Sequence, residues 1–136
     1  MRFLFDTNVV LDLLLDRVPF SKSAEYLFTK VEERKIEGIL CATTITTIYY
    51  LLSKSLSKKE LNHTLFSLFK LFEIATVDRK VLITALEADD TDYEDSVIYK
   101  SAFFSGVDII ITRDTKGFKK SNIPVYTPDE MIKLLK

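Results

Sequence analysis

The sequence predicts an α/β fold, a central parallel β-sheet flanked by α-helices on both faces. Three observations lead there. Short apolar runs, Phe3-Leu4-Phe5, Ile39-Leu40-Cys41-Ala42 and Ile109-Ile110-Ile111, have strand length and no polar alternation, so they read as strands covered on both sides. The segments between them carry apolar residues at helical spacing. Strands that alternate with helices in this way pair in parallel through helical crossovers.

Taken in order, Phe3-Leu4-Phe5 is the central strand and Asp6 ends it. Thr7-Asn8 opens a helix with Val9, Val10, Leu13 and Leu14 on its inner side. Arg17-Val18-Pro19 breaks the chain, and Ala24, Leu27, Phe28 and Val31 mark the next helix. Gly38 closes the connection to the second strand. Thr43-Thr44 then caps a helix carrying Ile45, Ile48, Tyr49 and Leu52 on one face. Ser57-Lys58-Lys59-Glu60 is a capping box before a helix with Leu61, Leu65, Leu68 and Phe72 inside.

Ile74-Ala75-Thr76-Val77 is a third strand, and Asp78 caps a helix holding Val81, Leu82, Ala85 and Leu86. Asp90-Thr91-Asp92 is a polar gap, a helix runs from about Tyr93 to Phe104, and Gly106 stops it. After the Ile-rich strand come Thr112-Arg113-Asp114 and a short strand, Pro124-Val125-Tyr126. Thr127-Pro128-Asp129-Glu130 combines a cap, an N1 proline and a box glutamate before the last helix.

The 136 residues suit one domain, residues 1–136, with 47% hydrophobic and 29% charged residues, a balance that excludes disorder. A net charge of -1 advertises no general affinity for nucleic acid, so any such role rests on a local patch. Cys41 is the single cysteine and cannot form an internal disulfide, which suits a reducing, cytoplasmic setting. Asp6, Asp12 and Asp16 interrupt the apolar N-terminus, so neither a signal peptide nor a membrane span is expected there.

The chemistry lies in carboxylates. Asp6 follows the first strand, Asp114 follows the Ile-rich strand, and Asp92 with Asp95 opens the helix between. Ligands of open α/β sheets bind at the carboxyl ends of the strands. Each acid also has an ordinary structural use: Asp6 and Asp92 as caps, Asp95 as a first-turn charge, Asp114 as a turn residue. Converging carboxylates repel unless a cation neutralises them, and hard oxygen donors suit Mg2+ or Mn2+. With no His or Cys cluster, the set points to metal-assisted phosphoryl chemistry. His63 is read as surface.

Three separated motifs resemble the PIN-domain nucleases, including VapC-type toxins of toxin–antitoxin pairs. They are Phe5-Asp6-Thr7-Asn8-Val9, Asp92-Tyr93-Glu94-Asp95-Ser96 and Ile111-Thr112-Arg113-Asp114 with Phe118. The ending Ile123-Pro124-Val125-Tyr126-Thr127-Pro128-Asp129-Glu130 is similar to that of one branch. The resemblance implies a PIN-like fold and a Mg2+- or Mn2+-dependent endoribonuclease. It implies Asp6, Asp95 and Asp114 as metal ligands, with Asp92 assisting. Asn8, Thr112 and Arg113 would position the site or the phosphate. A homodimer and a small antitoxin are the implied partners, with RNA as substrate.

Two positions depart from the family pattern. Many PIN nucleases carry a Glu in the helix after the second strand, where this chain has Thr47; a hydroxyl adds no charge, which weakens metal affinity. The last motif often continues Lys-Asp-Phe, and here reads Lys116-Gly117-Phe118. The run from Arg113 to Lys120 sets cations, Lys116 among them, beside the acids for a phosphate backbone, and Phe118 either stacks a base or anchors the core. Lys54, Lys58 and Lys59 form a second basic cluster, read as surface.

Tyr49-Tyr50-Leu51-Leu52 and Leu65-Phe66-Ser67-Leu68-Phe69 are apolar around more than one helix face and offer partner surface. The alternative function is a catalytically weak PIN domain that binds RNA or acts as a scaffold. A haloacid-dehalogenase-like phosphatase is disfavoured because Asn8 stands where its second Asp belongs, and a receiver domain because Thr112-Arg113-Asp114 replaces its late-strand Lys.

Overall fold

The apolar runs are strands, and they lie side by side. A computed structural model describes residues 1–88 and 92–136. In chain order these form β1 (Arg2–Phe5), α1 (Thr7–Leu14), α2 (Ser21–Glu32), β2 (Glu37–Cys41), α3 (Ala42–Leu52), α4 (Lys58–Leu71), β3 (Phe72–Ala75) and α5 (Arg79–Ala85). There follow α6 (Tyr93–Phe104), β4 (Ile109–Ile111), a 3-10 turn (Thr115–Phe118), β5 (Val125–Tyr126) and α7 (Pro128–Leu135). The expected polar gap at Asp90-Thr91 lies outside the described residues.

The strands pair in parallel in the order β3-β2-β1-β4-β5, with Leu4 opposite both Ile39 and Ile110. β1 is therefore central, and the chain moves to β2 on one side and later to β4 on the other. That reversal opens a crevice at the carboxyl ends of β1 and β4.

Side chains alternate across the sheet and divide between two cores. Phe3, Phe5, Leu40, Ile109 and Ile111 face α1, α2, α3, α4 and α7. Leu4, Ile39, Cys41 and Ile110 face α6 through Ile98 and Ala102, and α5 packs on α6 through Val81, Ala85 and Val97. No helix among the described residues is long and apolar enough to cross a membrane.

The caps follow local chemistry. Asp78 and Asp92 accept from backbone N–H groups of their helices, Ser57–Glu60 and Thr127–Glu130 are reciprocal boxes, and Gly106 stops α6 at φ 70°.

Four expectations shift. The α3 helix starts at Ala42 from an extended Cys41, and neither Thr43 nor Thr44 caps it, because Thr44 is buried against Thr7. Strand β3 begins at Phe72, straight from the end of α4, two residues before the expected start. Tyr49, Leu82 and Leu86 are exposed. Gly38 lies inside β2 and does not close a turn.

Its role is close approach. A Cβ on Gly38 would meet the Phe72 ring at 2.5 Å and Val31 at 3.0 Å. That ring is locked edge-to-face with Phe5 and Phe28, at centroid distances of 5.6 and 5.1 Å, and cannot swing aside cheaply. Gly38→Ala is expected to destabilise the fold by about 1–3 kcal/mol through overpacking, read as a lower urea midpoint.

Candidate active site

Asp6 sits where β1 gives way to α1. Its N–H donates to Ile111 O at 2.9 Å, extending the pairing with β4 by one bond. Its side chain is only 6% exposed and has two fixed partners. Oδ1 accepts the Thr7 N–H at 2.8 Å, which caps α1, and Oδ2 accepts the Thr112 hydroxyl at 2.7 Å.

Thr112, fully buried just past β4, is the hub of the crevice. Besides donating to Asp6, its Oγ1 accepts the Asp114 N–H at 3.0 Å and Asn8 Nδ2 at 3.3 Å. A hydroxyl has one donor and two acceptor sites, and all three are used. Asn8 Oδ1 in turn accepts the Arg113 N–H at 3.3 Å. The segment carrying Asp114 is thus tied to the start of α1 by side chains.

Asp95 arrives from α6. Asp92 is the N-cap, and its Oδ1 accepts the Asp95 N–H at 3.2 Å, setting Asp95 in the first turn. Gly117 then lets the 3-10 turn approach. A Cβ there would collide with Asp95 Oδ2 and lie 3.6 Å from Asp114 Oδ2, so both carboxylates flank one glycine.

Asp95 and Asp6 are both raised by their surroundings. Asp95 is pushed up to about 6, first by burial and then by the charges of Asp6, Asp92, Asp114 and Glu94. Asp6 is also raised; burial dominates, the Thr112 and Thr7 hydrogen bonds oppose it, and Asp114 and Glu94 add to it. The charges of Asp6, Asp92 and Asp114 thus all bear on Asp95.

Other expected site residues lie differently. Arg113, expected to meet a phosphate, turns its guanidinium into the fold. Nε donates to Asp12 Oδ2 at 2.6 Å and Nη2 to Asp12 Oδ1 at 3.1 Å, with the Phe20 ring 4.0 Å below. Phe118 is 4% exposed and belongs to the α6-side core, so it is an anchor and not a stacking platform. Thr47 is half-buried on α3 and makes none of the hydrogen bonds described above, whereas Thr44, one turn earlier, bonds Thr7 at 2.9 Å. Lys116 is exposed on the 3-10 turn next to Asp114.

Sequence reasoning missed Asp12, Thr44 and Glu94. Asp12 is 1% exposed, and a lone Asp on the apolar side of a helix is the signal that calls for a buried cationic partner. Arg113→Ala strands that carboxylate with Arg17 alone, at 3.7 Å. The expected loss is about 2 kcal/mol, below the roughly 3–5 kcal/mol of a fully stranded buried ion because Arg17 remains. Adding Asp12→Asn should recover part of it, as measured by a double-mutant cycle in urea.

Among the described residues, no three His, Cys, Asp or Glu side chains close into a ready-made metal cage. The donor set still fits a hard cation. Mg2+ keeps several waters and binds through one or two carboxylates, which an open edge of aspartates provides. A site that lifts Asp95 to about 6 gains most when a positive charge enters. Asp6, Asp95 and Asp114 are the residues that could hold it.

The sequence matches the PIN domain family over residues 2–116. It is 27% identical over 129 residues to the ribonuclease VapC1 of Aquifex aeolicus (strain VF5), an alignment covering 92% of this chain and 89% of that protein. Its fold is similar to that of a chain of FitAB bound to an IR36 DNA fragment, with TM-score 0.70, 21% identity and coverage of 93% and 94% of the two chains. It is also similar to a chain of a toxin–antitoxin complex from Klebsiella pneumoniae, with TM-score 0.67, 22% identity and coverage of 92% and 96%. The five-stranded parallel sheet and its helical layers are shared with these folds.

Proposed function

This chain belongs to the PIN domain family, and from that premise we propose that it is a metal-dependent endoribonuclease hydrolysing RNA phosphodiester bonds, the VapC-like toxin of a cytoplasmic toxin–antitoxin pair. The observation that supports the reading is the gathering of Asp6, Asp95 and Asp114 at the crevice, where burial first and then the charges of Asp6, Asp92, Asp114 and Glu94 push Asp95 up to about 6. The ribonuclease name of the Aquifex relative supports the substrate class.

Asp6, Asp95 and Asp114 would hold Mg2+ or Mn2+. Bound there, such an ion supplies Lewis-acid polarisation of a phosphoryl oxygen and acidifies water. The protein's part is positioning. Thr112 fixes the Asp6 carboxylate and the Asp114 backbone through one oxygen. Asp92 fixes the backbone of Asp95, and Gly117 leaves its carboxylate room. Lys116 stands at the open rim to meet a phosphate of the strand. Asn8 and Arg113 act behind the site, Asn8 through Thr112 and Arg113 through Asp12.

Partner surface lies on the opposite core's outer helices. Ile45, Tyr49, Leu65, Phe66 and Phe69 line an apolar groove of about 310 Å3 between α3 and α4, with Phe66 64% exposed. An antitoxin segment or a second copy of the chain is the expected occupant. The toxin–antitoxin complex from Klebsiella pneumoniae supports an antitoxin.

One observation favours the alternative, a weakly active RNA-binding module: α3 carries no acid, with Thr47 standing where the resemblance expects a Glu. Incubation of a mixed RNA pool with EDTA, Mg2+ or Mn2+ separates the two. Metal-dependent cleavage that disappears in Asp95→Asn establishes the nuclease. RNA binding with no cleavage under any metal establishes the module, and equal cleavage by both proteins sinks the assigned site.

A further inference from the structure

A second cleft adjoins the crevice. It has a volume of about 220 Å3 and lies between α6 and the segment that follows the 3-10 turn. Asp95 and Gly117 line it at the crevice end, so the two spaces share a wall. Tyr99 and Phe118 provide apolar surface, and Lys100 and Lys120 provide its cations. Among the described residues that line it, Asp95 is the one acid.

Its size is below the roughly 300–1,000 Å3 of sites that enclose whole small molecules, so it suits one unit of a polymer. Among the described lining residues, the acid stands at the crevice end and the two lysines stand farther along. A polyanion that places one phosphate at the crevice lays its neighbouring phosphate toward the lysines. Apolar walls between two charged ends accept an unstacked base, which single-stranded RNA offers and a duplex does not.

We propose that this cleft is a nucleotide subsite that seats the residue of a single-stranded RNA next to the scissile bond, its phosphate held by Lys100 and Lys120. The inference rests on the ribonuclease reading above. It adds two substrate-positioning lysines that lie outside the acidic crevice, on α6 and just after the 3-10 turn.

Two further details agree with a built cleft. The Tyr99 hydroxyl accepts the Asn122 N–H at 3.1 Å, which ties the far wall to α6. Ser121 Oγ accepts the Ile123 N–H at 2.9 Å and donates to Ile123 O at 2.7 Å, which closes that wall on itself. The cleft is therefore braced from both sides before any strand enters.

The test is equilibrium binding of a fluorescein-labelled single-stranded RNA of random sequence to the full chain in an Asp6→Asn background, which holds turnover down. Lys100→Ala and Lys120→Ala are each expected to weaken binding about 3–5-fold at 0.15 M salt and to lower the slope of log K against log salt by about 0.7. Lys58→Ala with Lys59→Ala, at the start of α4 outside the cleft, is expected to change neither. Active protein carrying Lys100→Ala should show a raised KM with kcat kept. Unchanged affinity and slope in both lysine variants, or an equal loss in the α4 control, overturns the subsite while leaving the ribonuclease intact. Equal affinity for duplex RNA also overturns it. Failure of the parent to bind RNA at any salt overturns both readings.

Discussion

Asp95→Asn is expected to melt at a higher temperature than the parent at pH 7.5 while losing at least about 100-fold in RNA cleavage, since the variant removes a charge that the site needs and the fold does not. The native state lifts this carboxyl to about 6, so between its ordinary value and 6 the folded chain holds a proton that the unfolded chain has released. The unfolded state binds fewer protons, and stability falls as pH rises through that window. Above it, the full penalty persists.

A two-unit shift corresponds to about 3 kcal/mol, but Asp95 is only partly buried, and screening reduces this to about 1 kcal/mol. The expected gain is about 3 °C, measured by calorimetry at pH 7.5 and absent at pH 4. Added Mn2+ should raise the melting temperature of the parent by mass action and leave that of Asp95→Asn in place. A variant that melts lower at pH 7.5, or that still responds to Mn2+, would remove Asp95 from the site.

Thr112→Val carries the second large effect. Valine fills the same space but leaves the buried Asp6 carboxylate without its 2.7 Å bond and the Asp114 N–H without an acceptor. Three polar groups lose partners, the Asn8 amide being the third, at about 1–3 kcal/mol each for a fully buried group; Asp114 is exposed and Asn8 half-buried, so about 2–3 kcal/mol is expected in a urea titration. Cleavage should fall further than stability explains, because Asp6 loses its orientation. Thr112→Ser keeps the hydroxyl and should restore most of the activity, whereas a structural defect from lost packing would not be rescued that way.

The sheet, its central strand and the helix starts were legible because each rests on local rules. Asp6 and Asp92 double as caps, so their positions could be read from the residues that follow them. The acids that the fold brings together could be picked out because two of them follow strands and a third opens a helix. Arg113 was not, because its partner Asp12 lies on another element, 101 residues away, and charge alone does not tell an ion pair from a phosphate contact. Thr44 and Gly38 were misread for the same reason. A threonine suits a cap and a glycine suits a turn, but a buried neighbour, Thr7 in one case and Phe72 in the other, decides their use.

The bond from Thr112 to Asp6 spans 106 residues. Nothing shorter than the chain through Asp114 can assemble the three acids, and pairing β4 beside β1 is a long-range event that must wait until β4 has been made. A nascent chain still threading from the ribosome therefore carries Asp6 without its companions. On the ribonuclease reading, the RNA that surrounds the protein during its own synthesis meets an inert polypeptide until Asp114 has been made and β4 has paired.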